Sequence, residues 1–492
     1  MVMRTYGLSG SGMDVDQMVK DLMKARRASY DKMWQKKTQL EWKKADYNTM
    51  YTTLRDFRNT TAFNYKLQST LMPKTISSTA ESTVSATANA DAANVSHDIT
   101  VTQLADGAKL TSAGSISIPS ASKETLSTQF GLAADTYDIV LKNGTNSKTI
   151  QVDTNKSIYE FVSSINNSGL GIKASYDATL DRFFMYTIGS GANVGIDFSG
   201  TVDTDGLDFI NDKLLLQTTA DPGKDAQFNL DGADLTQSSN SFTISGVTYQ
   251  LKAEGSANIV VSSDNDKAIA NVKTFIDSYN ATLEKINSEL KEEKYSDFMP
   301  LTSEQKKDMK DSEITEWEKR AKSGMLRHDS ILQDALYKLR SDISTPVSGL
   351  SGKYTSLASI GITTGDYSEE GKLYLDETKL KKALEEDPDV VSKLFSTSGD
   401  TSAKQGVAVR FYDTLKTSMD KIATVGGYSS TTDDDTQSSL AKLITRYNKD
   451  LINMDDRLQD IESRYYKQFD AMETALSRMN QQSSWLSQQL GS

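Results

Sequence analysis

Two histidines, one glycine-rich stretch, a few close aspartates and no cysteine are what this 492-residue chain offers for covalent or metal chemistry. His97 and His328 stand 231 positions apart. Neither belongs to a His-Glu-x-x-His or Cys-His pattern, the spacings that bring zinc ligands onto one face. Gly7-Leu8-Ser9-Gly10-Ser11-Gly12 has the glycine density of a loop whose backbone N–H groups cradle phosphate. It lacks the lysine and the preceding strand such a loop needs, and reads as a flexible hinge. Asp203 with Asp205, and the run Asp433-Asp434-Asp435, bring carboxylates close enough to meet a cation. Without calcium-loop spacing and a glycine at the sixth position, both read as solvated acidic loops. No Gly-x-Ser-x-Gly elbow, Walker loop or dinucleotide fingerprint occurs, so no catalytic, metal or cofactor site is expected.

Charge narrows the partners. Net charge is −12, from 55 Lys+Arg against 67 Asp+Glu, which disfavours nucleic acid. Residues 13–66 depart from that average with 12 basic and 7 acidic side chains. The two signs are interspersed, which suits a solvated helix face better than a membrane-surface helix. No run approaches the roughly 18 apolar residues of a membrane span, so no membrane insertion is expected. The opening residues MVMRTYGLSGSGMDVDQMV hold no apolar h-region, so export without a Sec-type signal peptide is expected. The lack of cysteine rules out a disulfide framework, and the length suits two to four domains.

What must carry function is therefore the architecture, and its strongest signal lies at the C-terminal end. Steps of seven from Ile444 give Leu451, Leu458, Tyr465, Met472, Met479 and Leu486. A companion series runs Leu440, Tyr447, Met454, Ile461, Gln468, Ala475 and Gln482. Alternating steps of three and four put both on one helical stripe, as in a coiled-coil seam. Neither Gly nor Pro interrupts Tyr428–Leu490, so a helix over 440–490 would be a rod about 75 Å long. Such a rod needs another rod to cover its stripe. Residues 13–72 are likewise free of Gly and Pro, with Met33, Leu40, Tyr47 and Leu54 every seven residues and Met50 and Phe57 beside them. A third stretch, Val272, Ile276, Tyr279, Leu283, Ile286 and Leu290, fits either a seam or an ordinary core helix.

Between the helical ends the texture changes: 15 of the 29 glycines fall within 79–263. Strands are predicted at 99–102, 138–141, 148–152, 172–176, 182–188, 226–230, 242–244, 247–251 and 259–262. Asn143-Gly144 marks a hairpin, and Ser157 with Glu160 forms a capping box opening a helix that Gly169 would close. Asp376 should cap a helix carrying Leu380, Ala383 and Leu384. Asp387-Pro388 should open the next one. The fold class is α+β and multidomain, with long terminal helices forming coiled-coil legs and a helical stalk. A β-rich head of two small domains is inserted between them. The expected division is a leg of 1–46 and 437–492, a stalk of 47–78 and 264–436, an inner head domain of 79–114 and 217–263, and an outer inserted domain of 115–216.

Five ordered patches resemble the bacterial flagellar filament cap family, hook-associated protein 2. They are Gly7-Leu8-Ser9-Gly10-Ser11-Gly12-Met13-Asp14, Ile99-Thr100-Val101-Thr102-Gln103-Leu104-Ala105, Asp225 to Gly232, Phe275 to Asn280, and Tyr354 to Ile362 continuing through Gly371-Lys372-Leu373 to Leu394-Phe395. The segment from Pro300 to Lys322 resembles an addition to the stalk found in one subgroup. The resemblance implies an extracellular, secreted protein at the flagellar filament tip, exported by the flagellar type III apparatus. It implies a homo-oligomer, a ring of about four to six copies, whose heads form a plate beneath which exported flagellin folds and inserts. The implied partners are flagellin, the hook–filament junction proteins, a cytoplasmic export chaperone at the C-terminal helix, and a host glycan or mucin at the head. The expected assembly seam is Met33, Leu40, Tyr47, Leu54, Leu440, Ile444, Tyr447, Leu451, Met454, Leu458, Ile461, Tyr465, Met472, Met479 and Leu486. Rival readings are another axial flagellar protein, such as a junction protein or flagellin, and a surface adhesin.

Overall fold

Asp14 opens the first helix by accepting a 2.9 Å hydrogen bond from the Gln17 amide. The computed structural model describes residues 14–428 and 435–490, so the glycine hinge at 7–12 and Asp433-Asp434 lie outside the described residues. Helix α1 (Val15–Asp56) runs into a π-helical turn over Phe57–Ala62. Asn59, Thr60 and Thr61 offer the backbone competing partners there, and Thr60 Oγ1 donates to the Asp56 carbonyl at 2.6 Å. The stretch to residue 72 that lacks Gly and Pro is thus not one regular α-helix, and the short α2 (Gln68–Leu71) follows the π-helical turn.

The chain then builds β1 (Lys74–Ser78), β2 (Val84–Ala88), β3 (Val95–Gln103), β4 (Lys109–Thr111), α3 (Leu126–Phe130), β5 (Thr136–Asn143), β6 (Asn146–Asp153) and α4 (Ile158–Asn166). Next come β7 (Ile172–Asp177), β8 (Arg182–Thr187), α5 (Thr204–Asp208), β9 (Ala226–Leu230), β10 (Ala233–Gln237), β11 (Ser241–Ile244), β12 (Val247–Leu251) and β13 (Gly255–Ser263). Helices return with α6 (Asn265–Lys291), α7 (Ser303–Lys307), α8 (Asp311–Lys322) and α9 (Ser330–Ser344). A hairpin of β14 (Ile362–Thr364) and β15 (Leu373–Leu375) precedes α10 (Glu377–Glu386), α11 (Val390–Ser396), α12 (Val407–Gly426) and α13 (Ser439–Leu490). Two units result: Met72–Lys267, and Met1–Leu71 joined with Ala268–Ser492.

The β-rich unit holds two cores. One lies between the antiparallel sheets β1-β13-β3-β9-β10 and β11-β12-β2, filled by Val84, Ile99, Val101, Phe228, Tyr249 and Ile259. Phe228 and Phe242 stack within it at 4.6 Å. The other is built by the β5-β6 hairpin, the sheet β4-β8-β7 and α4, around Ile139, Ile158, Phe161, Phe183 and Phe209. The Ser157–Glu160 box opens α4 as expected, and Gly144 takes a positive φ of 58° in the hairpin turn. Asp106 and Lys224 exchange two backbone hydrogen bonds of 2.9 Å. The chain therefore enters and leaves this second core side by side.

In the helical unit, α6 presents Val272, Phe275, Tyr279, Leu283, Ile286 and Leu290 to one core shared with α9, α11 and α12. The third seven-residue stretch is thus an ordinary core helix. Its centre is aromatic: the Phe275 ring meets Phe395 at 5.0 Å and Phe411 at 5.8 Å. Asn280 clamps β15 to α6 by accepting from Leu373 N (2.8 Å) and donating to Leu373 O (2.9 Å). Asp376 caps α10 through Lys379 N. The following helix starts two residues later than the Asp387-Pro388 pair suggests, because Asp387 is occupied in receiving Asp389 N.

One charge lies wholly inside this core. Arg410 on α12 is 2 % exposed. Its Nε donates to Ser402 O (2.7 Å), Nη1 to Asp342 O (3.0 Å) and Thr345 O (2.6 Å), and Nη2 to Pro346 O (3.0 Å) and Ala403 O (3.1 Å). The planar guanidinium matches five carbonyls from two places, 342–346 where α9 ends and 402–403, and is joined there by Gln405 N on Ser402 O and Ser348 N on Ala403 O.

Candidate functional site

The two terminal helices lie antiparallel. Tyr466 Oη donates to Asp16 at 3.0 Å, Arg26 to Tyr465 Oη at 3.3 Å, and Arg27 approaches Asp455 at 3.9 Å. Farther along the pair, Lys44 meets Asp435 at 2.8 Å. The structure sorts the fifteen expected seam residues into three groups. Tyr47, Leu54 and Leu440 belong to the main core of the helical unit, with Leu40 packed against it. Ile444, Leu451 and Leu458 are buried, Leu458 in a small core with Val19 and Met23 that Met454, Ile461 and Tyr465 flank. Met33 and Tyr447 are half-buried.

The third group has no cover. Met472, Met479 and Leu486 are 39, 63 and 51 % exposed, and Trp485 beside them is 59 % exposed. The cause is length. The first residues of α1 meet α13 near Tyr466, and α13 continues to Leu490, about 36 Å farther at roughly 1.5 Å per residue. That last stretch, 470–490, holds only Asp470, Glu473 and Arg478 as charged residues. A sparsely charged helix end with an exposed apolar stripe has the composition of a helix-packing surface.

Asp435 corrects the reading of its run as a solvated loop. It is 5 % exposed and faces Lys44, itself 1 % exposed. Oδ1 accepts from Gln437 N (3.2 Å) and Ser438 N (3.1 Å), and Oδ2 from Ser438 Oγ (2.6 Å). Burial alone would raise its pKa. The Lys44 ammonium and the Ser438 and Gln437 donors outweigh that and hold it down to about 2. Gly427, at φ 75°, has no room for a Cβ beside this carboxylate. No spacing in the sequence announces the pair, since its partners are nearly four hundred positions apart.

A second acidic group sits where α1 meets the segment between α6 and α9. Gln35 donates to Pro300 O (2.9 Å), Trp317 to Met299 O (2.8 Å), and Lys322 lies 5.2 Å over the Trp42 ring. Asp46 is pushed up to about 7, first by burial and then by Glu289 and Glu292 from the C-terminal end of α6, with Lys322 acting the other way. That helix end is itself negative, so its carboxylates are poorly placed. The folded protein thus holds a proton that the unfolded chain releases near 3.8, and this group's contribution to stability falls as pH rises from about 4 to 7. We expect Asp46→Asn to remove that slope and to melt higher than the parent at pH 8. Thermal melts of both proteins between pH 5 and 8 test this, and parallel curves would refute it.

The two histidines stay apart. His97 on β3 pairs with Asp231 at 2.5 Å, and His328 lies in the other unit. Among the described residues no group of three His, Cys, Asp or Glu is arranged to hold a metal ion, and no helix is long and apolar enough to cross a membrane. Asp203 serves as the cap of α5, accepting from Asp205 N and Gly206 N.

The helical termini and the segmented middle are shared with known proteins. The family description "Flagellar hook-associated protein 2 N-terminus" matches residues 11–108, and "Flagellar hook-associated protein 2 C-terminus" matches 223–481. A further description, "Flagellin hook IN motif", matches 138–186, which spans the β5–β8 module. The chain is 31 % identical over 534 aligned residues to flagellar hook-associated protein 2 of Halalkalibacterium halodurans, covering 99 % of each chain. It is 24 % identical to the Escherichia coli protein of that name, covering 98 % of this chain and 96 % of the other. The crystal structure of the D1-D2-D3 domains of the flagellar cap protein FliD from Escherichia coli shares the fold, with TM-score 0.55 and 21 % identity over 75 % of this chain and 96 % of that one. By family description and by full-length identity alike, this chain belongs to the flagellar hook-associated protein 2 family.

Proposed function

We propose that the protein is a structural cap at the tip of the bacterial flagellar filament, where a ring of copies promotes folding and insertion of exported flagellin and prevents its loss. One observation carries this reading furthest: α13 outruns its partner α1 and leaves Met472, Met479 and Leu486 uncovered. A helix with that surface is completed by association, as a ring of copies at a filament end supplies. The same end suits an export chaperone before assembly, and the junction proteins are the neighbours on which the ring is first built. A strain lacking the gene should secrete unpolymerised flagellin and swim only when the gene is restored. Normal filaments in the deletion strain would overturn the reading, and loss of adhesion with motility intact would favour an adhesin.

The domain division is part of the same proposal: a leg of 1–46 and 437–492, a stalk of 47–78 and 264–436, an inner domain of 79–114 and 217–263, and an outer one of 115–216. Two separate cores and the paired backbones of Asp106 and Lys224 favour an outer domain removable at its stem. Replacing 115–216 by a short Gly/Ser linker should leave a soluble protein with its helical circular dichroism intact. Collapse of the whole protein would place the boundary elsewhere.

A further inference from the structure

Two surfaces of the helical unit are held in place by contacts within the chain, among them Arg58 Nε on Tyr412 O (3.1 Å), yet present exposed apolar side chains outward. The first surrounds Tyr412 on α12. The Arg58 guanidinium lies 3.6 Å from the centre of its ring and the Lys66 ammonium 4.1 Å, so the two charges are within about 8 Å of each other. Neither cation has an ion-pair partner among the described residues, in a chain of net charge −12. Phe63, whose ring is 6.3 Å from Tyr412, and Leu67 are 43 and 42 % exposed beside them. Arg, aromatic and aliphatic side chains grouped in this way are the composition of an interface centre.

The second surface is the turn between β14 and β15. Tyr367 is fully exposed, the most exposed large hydrophobic residue among the described residues. It does not sit on a loose loop. Asp366 N donates to Glu369 at 2.9 Å, Tyr374 Oη to Glu369 at 2.5 Å, and Lys291 holds Glu370 at 2.5 Å. Glu370 and Gly371 take positive φ of 57° and 91° to close the turn. A rigid acidic turn that holds one bare tyrosine away from its own chain has the shape and charge of a ligand.

We propose that the acidic turn bearing Tyr367 in one copy docks on the cationic–aromatic patch around Tyr412 in the next copy. The contact cannot close within one chain. The turn is tied to Lys291 at one end of α6, whereas the patch neighbours Asn271 near the other, through the Asn271–Thr70 hydrogen bond. Twenty residues of helix separate them, about 30 Å. Because each copy carries both surfaces, the contact is head-to-tail, the type that closes into rings. The charges steer the approach and weaken it at high salt, while Tyr367, Phe63 and Leu67 supply the apolar burial.

This inference rests on the ring proposed above, and the test separates the two. The chain has no cysteine, so single cysteines can be placed cleanly. Leu67→Cys mixed with Tyr367→Cys should form a disulfide-linked dimer at least about tenfold faster than Leu67→Cys mixed with Tyr337→Cys, a control on α9 that is also well exposed, at 73 %. Lys66→Glu should weaken self-association measured by mass photometry, and Asp366→Lys in the same chain should restore it. Rings without preferential cross-linking, or without rescue by the charge swap, overturn this contact alone. A protein that stays monomeric at every concentration overturns both the contact and the ring.

Discussion

Replacing Arg410 by methionine should lower the stability of the helical unit by about 3–5 kcal/mol, the largest effect expected of any single substitution here. Methionine fills similar space, so the loss is not a cavity. It arises because the carbonyls of Asp342, Thr345 and Pro346 lose the donor that the buried guanidinium supplies, while Ser402 O and Ala403 O keep Gln405 N and Ser348 N. Lysine should recover little, since three tetrahedral donors cannot reach the positions of a planar fork. Urea denaturation followed by circular dichroism would report the change as a lower midpoint with an unchanged slope. A midpoint within experimental error of the parent would mean that water reaches these carbonyls.

The second large effect separates the inner and outer parts of α13. Leu458 is buried against Val19 and Met23 in a single chain. Leu458→Ala should therefore cost about 2–5 kcal/mol of local packing in the monomer and speed amide exchange in α1 near Val19. Met479→Ser and Leu486→Ser should leave the monomer's melting and exchange unchanged, because those side chains are already wet. Each should weaken self-association by roughly ten- to a hundredfold if a neighbour buries it on assembly. Sedimentation velocity across a concentration series reads this directly. Unchanged oligomers with the serine variants would remove the outer stripe from the assembly surface.

The sequence was most legible where local chemistry and periodicity agree. The heptads placed α13 to within a residue at each end, and Asn143-Gly144 and Ser157–Glu160 placed a hairpin and a helix start. Strands β1, β2 and β10 escaped because Lys74-Thr-Ile-Ser-Ser, Val84-Ser-Ala-Thr-Ala and Ala233-Asp-Leu-Thr-Gln hold too few large apolar residues to alternate. β1 and β2 pair with strands distant in the chain, as Lys74 with Ser263, whereas β10 folds back on the adjacent β9. The heptads also could not say which partner covers which turn. Seven-residue spacing is the same for Leu451, buried in its own chain, and for Met479, left exposed. Arg410 and the Lys44–Asp435 pair gave no signal, since a buried charge is recognised only by the groups the fold brings to it.

The α1–α13 pairing joins residues 450 positions apart where Tyr466 meets Asp16. Closing a loop of that size in an unfolded chain is slow, although its entropic cost grows only with the logarithm of length. The core of the helical unit shortens the problem: once Tyr47 and Leu440 are packed, Lys44 and Asp435 are already neighbours. From there the two helices can zip turn by turn toward Asp16 and Tyr466, each step closing only a few residues of new loop. A seam that zips in one direction unzips in the other. The end bearing Val19, Met23 and the uncovered tail of α13 is thus the last part of the molecule to fold and the first to open.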